Sequence, residues 1–165
     1  MEQKVIHTQN INYLINLMEV TRHFVSTTFI VHKQKVLLHL HKKLGIWIPV
    51  GGHIDRDELP HIAALREVKE ETGLEVILLN PDEQIDMGDV KQLHRPMHVL
   101  LENINPFHQH IDFIYYATSD TDNVQPEDGE STNLKWFAAE EIEALEGAPG
   151  NVKVLSLEAI DLLGV

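Results

Sequence analysis

Residues 8–20 place Ile11, Leu14, Ile15 and Met18 at the i, i+3, i+4, i+7 spacing of one helix face, which predicts an amphipathic N-terminal helix. The period then changes. "FVSTTFIV", residues 24–31, is rich in β-branched and aromatic side chains and predicts a strand. After the short polar link "HKQK", the run "KVLLHLH" sets Val36, Leu38 and Leu40 against Leu37, His39 and His41. It predicts a second strand with two unlike faces, joined to the first as a hairpin. "IWIPV" predicts another short strand, stopped by Pro49 and the Gly51–Gly52 pair. A helix is expected over 59–72 with Gly73 as its left-handed C-terminal cap, and with Ile62, Leu65 and Val68 on its packing side.

Beyond it, "EVILL" predicts a strand and the pattern-poor stretch 80–96 a loop. "MHVLLEN" and "IDFIYYAT" predict two more strands, 119–133 an acidic loop and "LKWFA" a last strand. Helices are expected over 139–146 and 152–163, the second with Val152, Leu155, Ala159, Leu162 and Leu163 on one side. No repeat, low-complexity tract or linker divides the chain. The expectation is one α/β (α+β) domain over 1–165, with helices covering a mixed sheet and 1–22 as an N-terminal helical extension.

Composition narrows the function classes. With 165 residues and 43% hydrophobic positions, the chain can bury a core without crosslinks. It has no cysteine, which removes disulfides, thiolate metal sites and thiol catalysis. No run approaches the roughly 18 apolar residues of a membrane span, and the N-terminus lacks the apolar block of a signal peptide, so a cytoplasmic protein without membrane contact is expected. The formal charge of −13 opposes general nucleic-acid binding. Small phosphorylated substrates stay open, because a divalent cation reverses the local sign of an acidic pocket.

Glu67, Glu70 and Glu71 would share about a 100° arc of the 59–72 helix. Like charges at these spacings cost about a few tenths of a kcal/mol per pair, so helix stability does not ask for them. On spacing alone two readings stand: a solvated acidic face, or carboxylates set for a hard divalent cation.

The wider spacing is more specific. Gly52, five residues, Glu58, seven residues, then "REVKEETGL" from Arg66 to Leu74 matches the Nudix box at every specified position. The chain therefore resembles the Nudix hydrolase superfamily, with the box over 52–74. The resemblance implies an α/β/α sandwich carrying a loop–helix–loop motif. It implies a pyrophosphohydrolase acting on phosphorus-containing acid anhydrides, dependent on Mg²⁺ with Mn²⁺ as a substitute. The substrate would be a nucleotide or related organic diphosphate, namely a nucleoside diphosphate linked to another moiety.

Residue by residue, the resemblance implies Glu67, Glu70 and Glu71 as metal ligands, joined by the carbonyl of Gly51. It implies Glu58 and Arg66 as a structural salt bridge. Within the box Glu70 stands first as the group that accepts the proton of the attacking water, with Glu67 second. Some members add a glutamate from a loop outside the box, a place that Glu130 resembles, with Glu127 as rival and a solvated loop carboxylate as the plainer reading. Homodimers are frequent in the family. A nucleotide-binding sensor with little turnover is the alternative, although a sensor needs no full set of metal ligands.

Other residues carry weaker signals. His39 and His41 could face substrate, since their strand leads into the box, and Trp47 could stack on a base or pack in the core. His108, His110 and Asp112 alternate on one face if extended, a row that could form a second, softer metal site or merely line a pocket. Lys42, Lys43, Arg56 and Arg95 are candidates for holding a terminal phosphate.

Overall fold

The computed structural model describes residues 19–164. Most of the expected N-terminal helix lies outside them. Its described end, Glu19 and Val20, has no regular structure, and Thr21 already opens the first strand, so the expected boundary at residue 22 is too late.

Among the described residues, eight strands form one mixed sheet: β1 (Thr21–His32), β2 (Lys35–Leu40), β3 (Trp47–Ile48), β4 (Val50–His53), β5 (Ile77–Leu78), β6 (His98–Asn105), β7 (His108–Thr118) and β8 (Leu134–Ala138). Three helices accompany them in the same span: α1 (Pro60–Thr72), α2 (Ala139–Ala144) and α3 (Gly150–Leu163). The β1–β2 connection is the expected hairpin. Its two loop residues, Lys33 and Gln34, have φ of 45° and 61°, the positive values of a two-residue turn that matches strand twist.

β1 organises the sheet. Along one edge it runs parallel to β7, from Thr21 opposite His108 to Val31 opposite Thr118. Its other edge is shared: residues Val25–Thr28 pair with β4 and Val31–His32 with β2. The sheet therefore splays beside β1, and β4 brings the glycine pair alongside Ser26 and Thr27. Gly51 and Gly52 continue β4 rather than stopping a strand at Val50, a correction to the expectation.

Alternate residues of the central strands feed two cores. Phe29, Val31, Val36, Leu38, Ile114 and Tyr116 pack with Ile142 of α2 and Val152, Leu155 and Ala159 of α3. Ile30, Leu37 and Val50 pack on the opposite face with Val68 of α1 and Leu74. The result is the expected helix–sheet–helix sandwich. Its packing stripes differ in detail. On α1 the buried positions are His61, Ala63, Ala64, Val68 and Thr72, while Ile62 and Leu65 are exposed. On α3, Leu162 is exposed. Among the described residues, no helix is long and apolar enough to cross a membrane.

Candidate active site

α1 is short, carries Pro60 in its first turn and ends where expected. Gly73 takes φ 71° and its N–H donates to the Lys69 carbonyl at 2.8 Å. A side chain at Gly73 would also meet the backbone of Gln125, so the glycine permits a loop to dock there. The N–H of Gln125 donates to the Thr72 carbonyl at 2.7 Å and that of Glu127 to the Glu70 carbonyl at 2.9 Å. The 119–133 loop is thereby tied to the last turn of the carboxylate helix.

Two of the box carboxylates, Glu67 and Glu71, meet β4 at its glycine pair. The N–H of Gly51 donates to Glu71 Oε2 at 2.8 Å. Glu67 lies against Gly52 so closely that a Cβ there would overlap its carboxylate. Gly51 is equally constrained from the other side, because a Cβ would collide with the Ser26 carbonyl and come within 2.8 Å of Thr27 Cα. Both glycines are thus required by close approach.

Arg66 is the cation of this cluster. Its Nε and Nη2 bind both oxygens of Glu58 at 2.9 Å each, a bidentate fork. Nη1 donates to Glu67 at 2.7 Å and Glu70 at 3.1 Å, and Nη2 also donates to the His53 carbonyl at 3.0 Å. The Arg66 hydrogen bonds hold the Glu58 carboxyl below its usual range, and the same pairing keeps Arg66 charged. One guanidinium does not satisfy all four acids. Burial pushes the Glu67 carboxyl up, and the charges of Glu70 and Glu130 add to that. Glu71 is pushed up to about 7, mainly by burial, then by the charges of Glu67, Glu130 and Glu70, against the opposing hydrogen bond from Gly51.

That Glu130 acts on both Glu67 and Glu71 brings the acidic loop into the cluster. Lys42 holds it there, donating to the carbonyls of Gly129 and Glu130 at 3.0 Å each. Glu127 is drawn in through its backbone instead. Arg95 is occupied elsewhere, its Nε donating to both oxygens of Asp82.

A cleft of ≈ 670 Å³ opens beside the cluster, with Glu71, Gly51 and Gly52 in its lining. His39 and His41 both border it. His39 is buried, and that burial lowers its pKa, so it stays neutral. His41 lies just past the end of β2, where its Nδ1 accepts from the N–H groups of Lys43 and Leu44. Trp47 does not line the cleft; its ring packs edge-on against Phe137 at 5.0 Å between centroids, so the core reading describes it.

Thr27 carries no signal in the sequence, and Asp112 stands there only in the row with His108 and His110, not with the box. Thr27 Oγ1 donates to Asp112 Oδ2 at 2.8 Å, deep in the cleft. Burial pushes Asp112 up to about 7, and its second oxygen meets no protein partner. The alternation of His108, His110 and Asp112 was the only signal pointing there.

Arranged this way, the site can hold a hard cation. The donors are oxygens, two of the carboxyls are pushed up in its absence, and glycine at 52 leaves room for the Glu67 carboxylate that a larger residue would fill.

Comparison with known proteins identifies the family and the fold. A family model described as NUDIX domain matches residues 22–157. The chain is 45% identical in sequence to a NUDIX-family hydrolase from Clostridium perfringens, with a TM-score of 0.80 over 87% of this chain and 99% of that one. A UDP-X diphosphatase shares the fold, with a TM-score of 0.58 at 19% identity, covering 94% of this chain and 68% of that one. Among curated relatives, the m7GpppN-mRNA hydrolase NUDT17 of Danio rerio is 31% identical over 111 residues. That match covers 63% of this chain but only 35% of the relative's length.

Proposed function

The chain belongs to the NUDIX domain family, and from that premise we propose that this Nudix hydrolase is divalent-metal dependent and cleaves the diphosphate linkage of a nucleoside diphosphate joined to another moiety. The observation that carries the reading is the approach of Glu67 to Gly52 and the bond of Glu71 to Gly51, where Gly51, Gly52 and Glu71 line the cleft. Glu67, Glu70 and Glu71, with the Gly51 carbonyl, would hold Mg²⁺, or Mn²⁺ in its place. Such an ion supplies charge neutralisation at the phosphates and acidification of water.

The chain's own groups do the rest. Glu58 and Arg66 fix the helix against the β4 strand and keep the carboxylates in register. Arg66 Nη1 holds one oxygen of each glutamate, Glu67 at 2.7 Å and Glu70 at the longer 3.1 Å, so Glu70 is the less tightly held and its second oxygen accepts a proton from an attacking water. Glu130, anchored through Lys42, is the loop glutamate that assists this transfer. His39 and His41 border the same cleft and orient the organic part of the substrate. The cleft volume suits a nucleotide-sized ligand.

The test is a screen of nucleoside di- and triphosphates, nucleotide sugars, ADP-ribose, dinucleoside polyphosphates and a cap analogue, the last because of the relative from Danio rerio. Turnover of at least one with Mg²⁺, and none with chelator, supports the proposal. Metal-independent nucleotide binding without turnover across the panel favours a sensor instead.

A further inference from the structure

Away from the box carboxylates, three strands bring imidazoles together at the outer end of the cleft. His23 of β1 stands opposite His110 of β7 in the parallel register, and His53 ends β4 beside them. His23 Nδ1 and His53 Nε2 are 3.2 Å apart, and one nitrogen from each of His23, His53 and His110 falls within a set no wider than 4.8 Å. His108 adds a fourth ring, with its centroid 4.6 Å from that of His23 and 4.8 Å from that of His110.

We propose that His23, His53 and His110, with His108 as the nearest further donor, form a binding site for a borderline transition-metal dication, Zn²⁺ first, separate from the carboxylate site. Imidazole nitrogens select such ions, whereas Mg²⁺ is held by oxygen. The spacing fits: Zn–N bonds of about 2.0–2.1 Å put neighbouring tetrahedral ligands about 3.3 Å apart, close to the His23–His53 separation. The widest separation in the set, at most 4.8 Å, exceeds that spacing by about 1.5 Å, and the exposed side chains of His23 and His53 can close it by rotation.

A second observation points to a ligand. His108 Nε2 and His110 Nε2 are buried and meet no protein hydrogen-bond partner. Clustered rings with orphaned nitrogens are costly as mere lining, and an ion would satisfy several of them together. The backbone of His53 is also fixed, since its carbonyl accepts from Arg66 Nη2, so one ligand is pre-positioned by the box itself. The two sites therefore sit along one strand, one hard at Gly51 and one soft at His53.

The test is equilibrium dialysis of the full chain with Zn²⁺ under a large excess of Mg²⁺, which occupies oxygen sites, together with visible spectroscopy of the Co²⁺ form. One Zn²⁺ per chain is expected for the wild type and for the Glu70→Gln/Glu71→Gln double variant. His23→Gln and His110→Gln should each bind at least about tenfold more weakly and lose the Co²⁺ bands of nitrogen ligation. His23 is exposed, so its variant tests the site even if His110→Gln fails to fold. The proposal is overturned by no Zn²⁺ uptake under excess Mg²⁺. It is equally overturned by uptake that the carboxylate variant abolishes and His23→Gln leaves intact.

Discussion

The backbone N–H of Gly51 donates to Glu71 Oε2 at 2.8 Å, joining the strand of the glycine pair to the last turn of the carboxylate helix. It leaves the Glu71 carboxyl nonetheless at about 7, against an ordinary 4.5, because burial outweighs the bond. Between those values the folded chain keeps a proton that the unfolded chain has released. Stability without metal is therefore greatest below the unfolded value and is lost as pH rises through about 7. In chelator, the Tm of the wild type should fall relative to that of Glu71→Gln between about pH 5 and pH 8. Mg²⁺ should raise the wild-type Tm more at the upper end, where protons no longer compete. Parallel pH curves for the two proteins would count against this origin of the shift.

Gly52 gives a steric test. An added Cβ meets the end of the Glu67 side chain, so Gly52→Ala must displace the carboxylate itself, which is a group of the site. Turnover should drop about a hundredfold, with circular dichroism unchanged. Full activity would mean that Glu67 can move without consequence.

Arg66→Lys asks what the fork contributes. Lysine keeps the charge but cannot bind both Glu58 oxygens while also reaching Glu67 and Glu70. Urea unfolding should show a loss of about 1–3 kcal/mol. An unchanged midpoint would reduce the bridge to a surface pair.

Asp112 offers a second pH signature, independent of the box. Its carboxyl is raised by burial to about 7 from an ordinary 3.8, so between those values the folded chain keeps a proton that the unfolded chain has released, and stability falls as pH rises through that window. Asp112→Asn should therefore gain on the order of 1 kcal/mol or more at about pH 8, part of that at about pH 5, and nothing near pH 3, read from chemical denaturation at about pH 8 and about pH 3. A gain that is the same at both values would point to packing rather than charge.

The box was legible because its chemistry is local: Gly52, Glu58 and Arg66–Leu74 lie within one loop–helix–loop, and Gly73 caps that helix as expected. The packing stripe of the helix was less so. Ala63 and Ala64 are small enough to sit against the sheet but weak in hydrophobic pattern, so Ile62 and Leu65 took their place in the sequence reading. Gly51 and Gly52 read as a stop, yet they are strand residues whose missing side chains admit Glu67 and the β1 backbone. What depended on the parallel β1–β7 pairing left little trace in the sequence. Thr27 and Asp112 are 85 residues apart, and His23 reaches His110 only through that register.

The most direct measurement is the Mg²⁺-dependent rate of the wild type, Glu70→Gln and Glu71→Gln on whichever substrate of the panel is turned over fastest. Each substitution keeps the side chain's size and removes one charge from the cluster. Both folded variants should lose at least about a hundredfold in kcat, and Glu71→Gln should also need more Mg²⁺ for half-maximal rate. Rates and Mg²⁺ requirements equal to those of the wild type in both would contradict the assignment of these carboxylates to the metal.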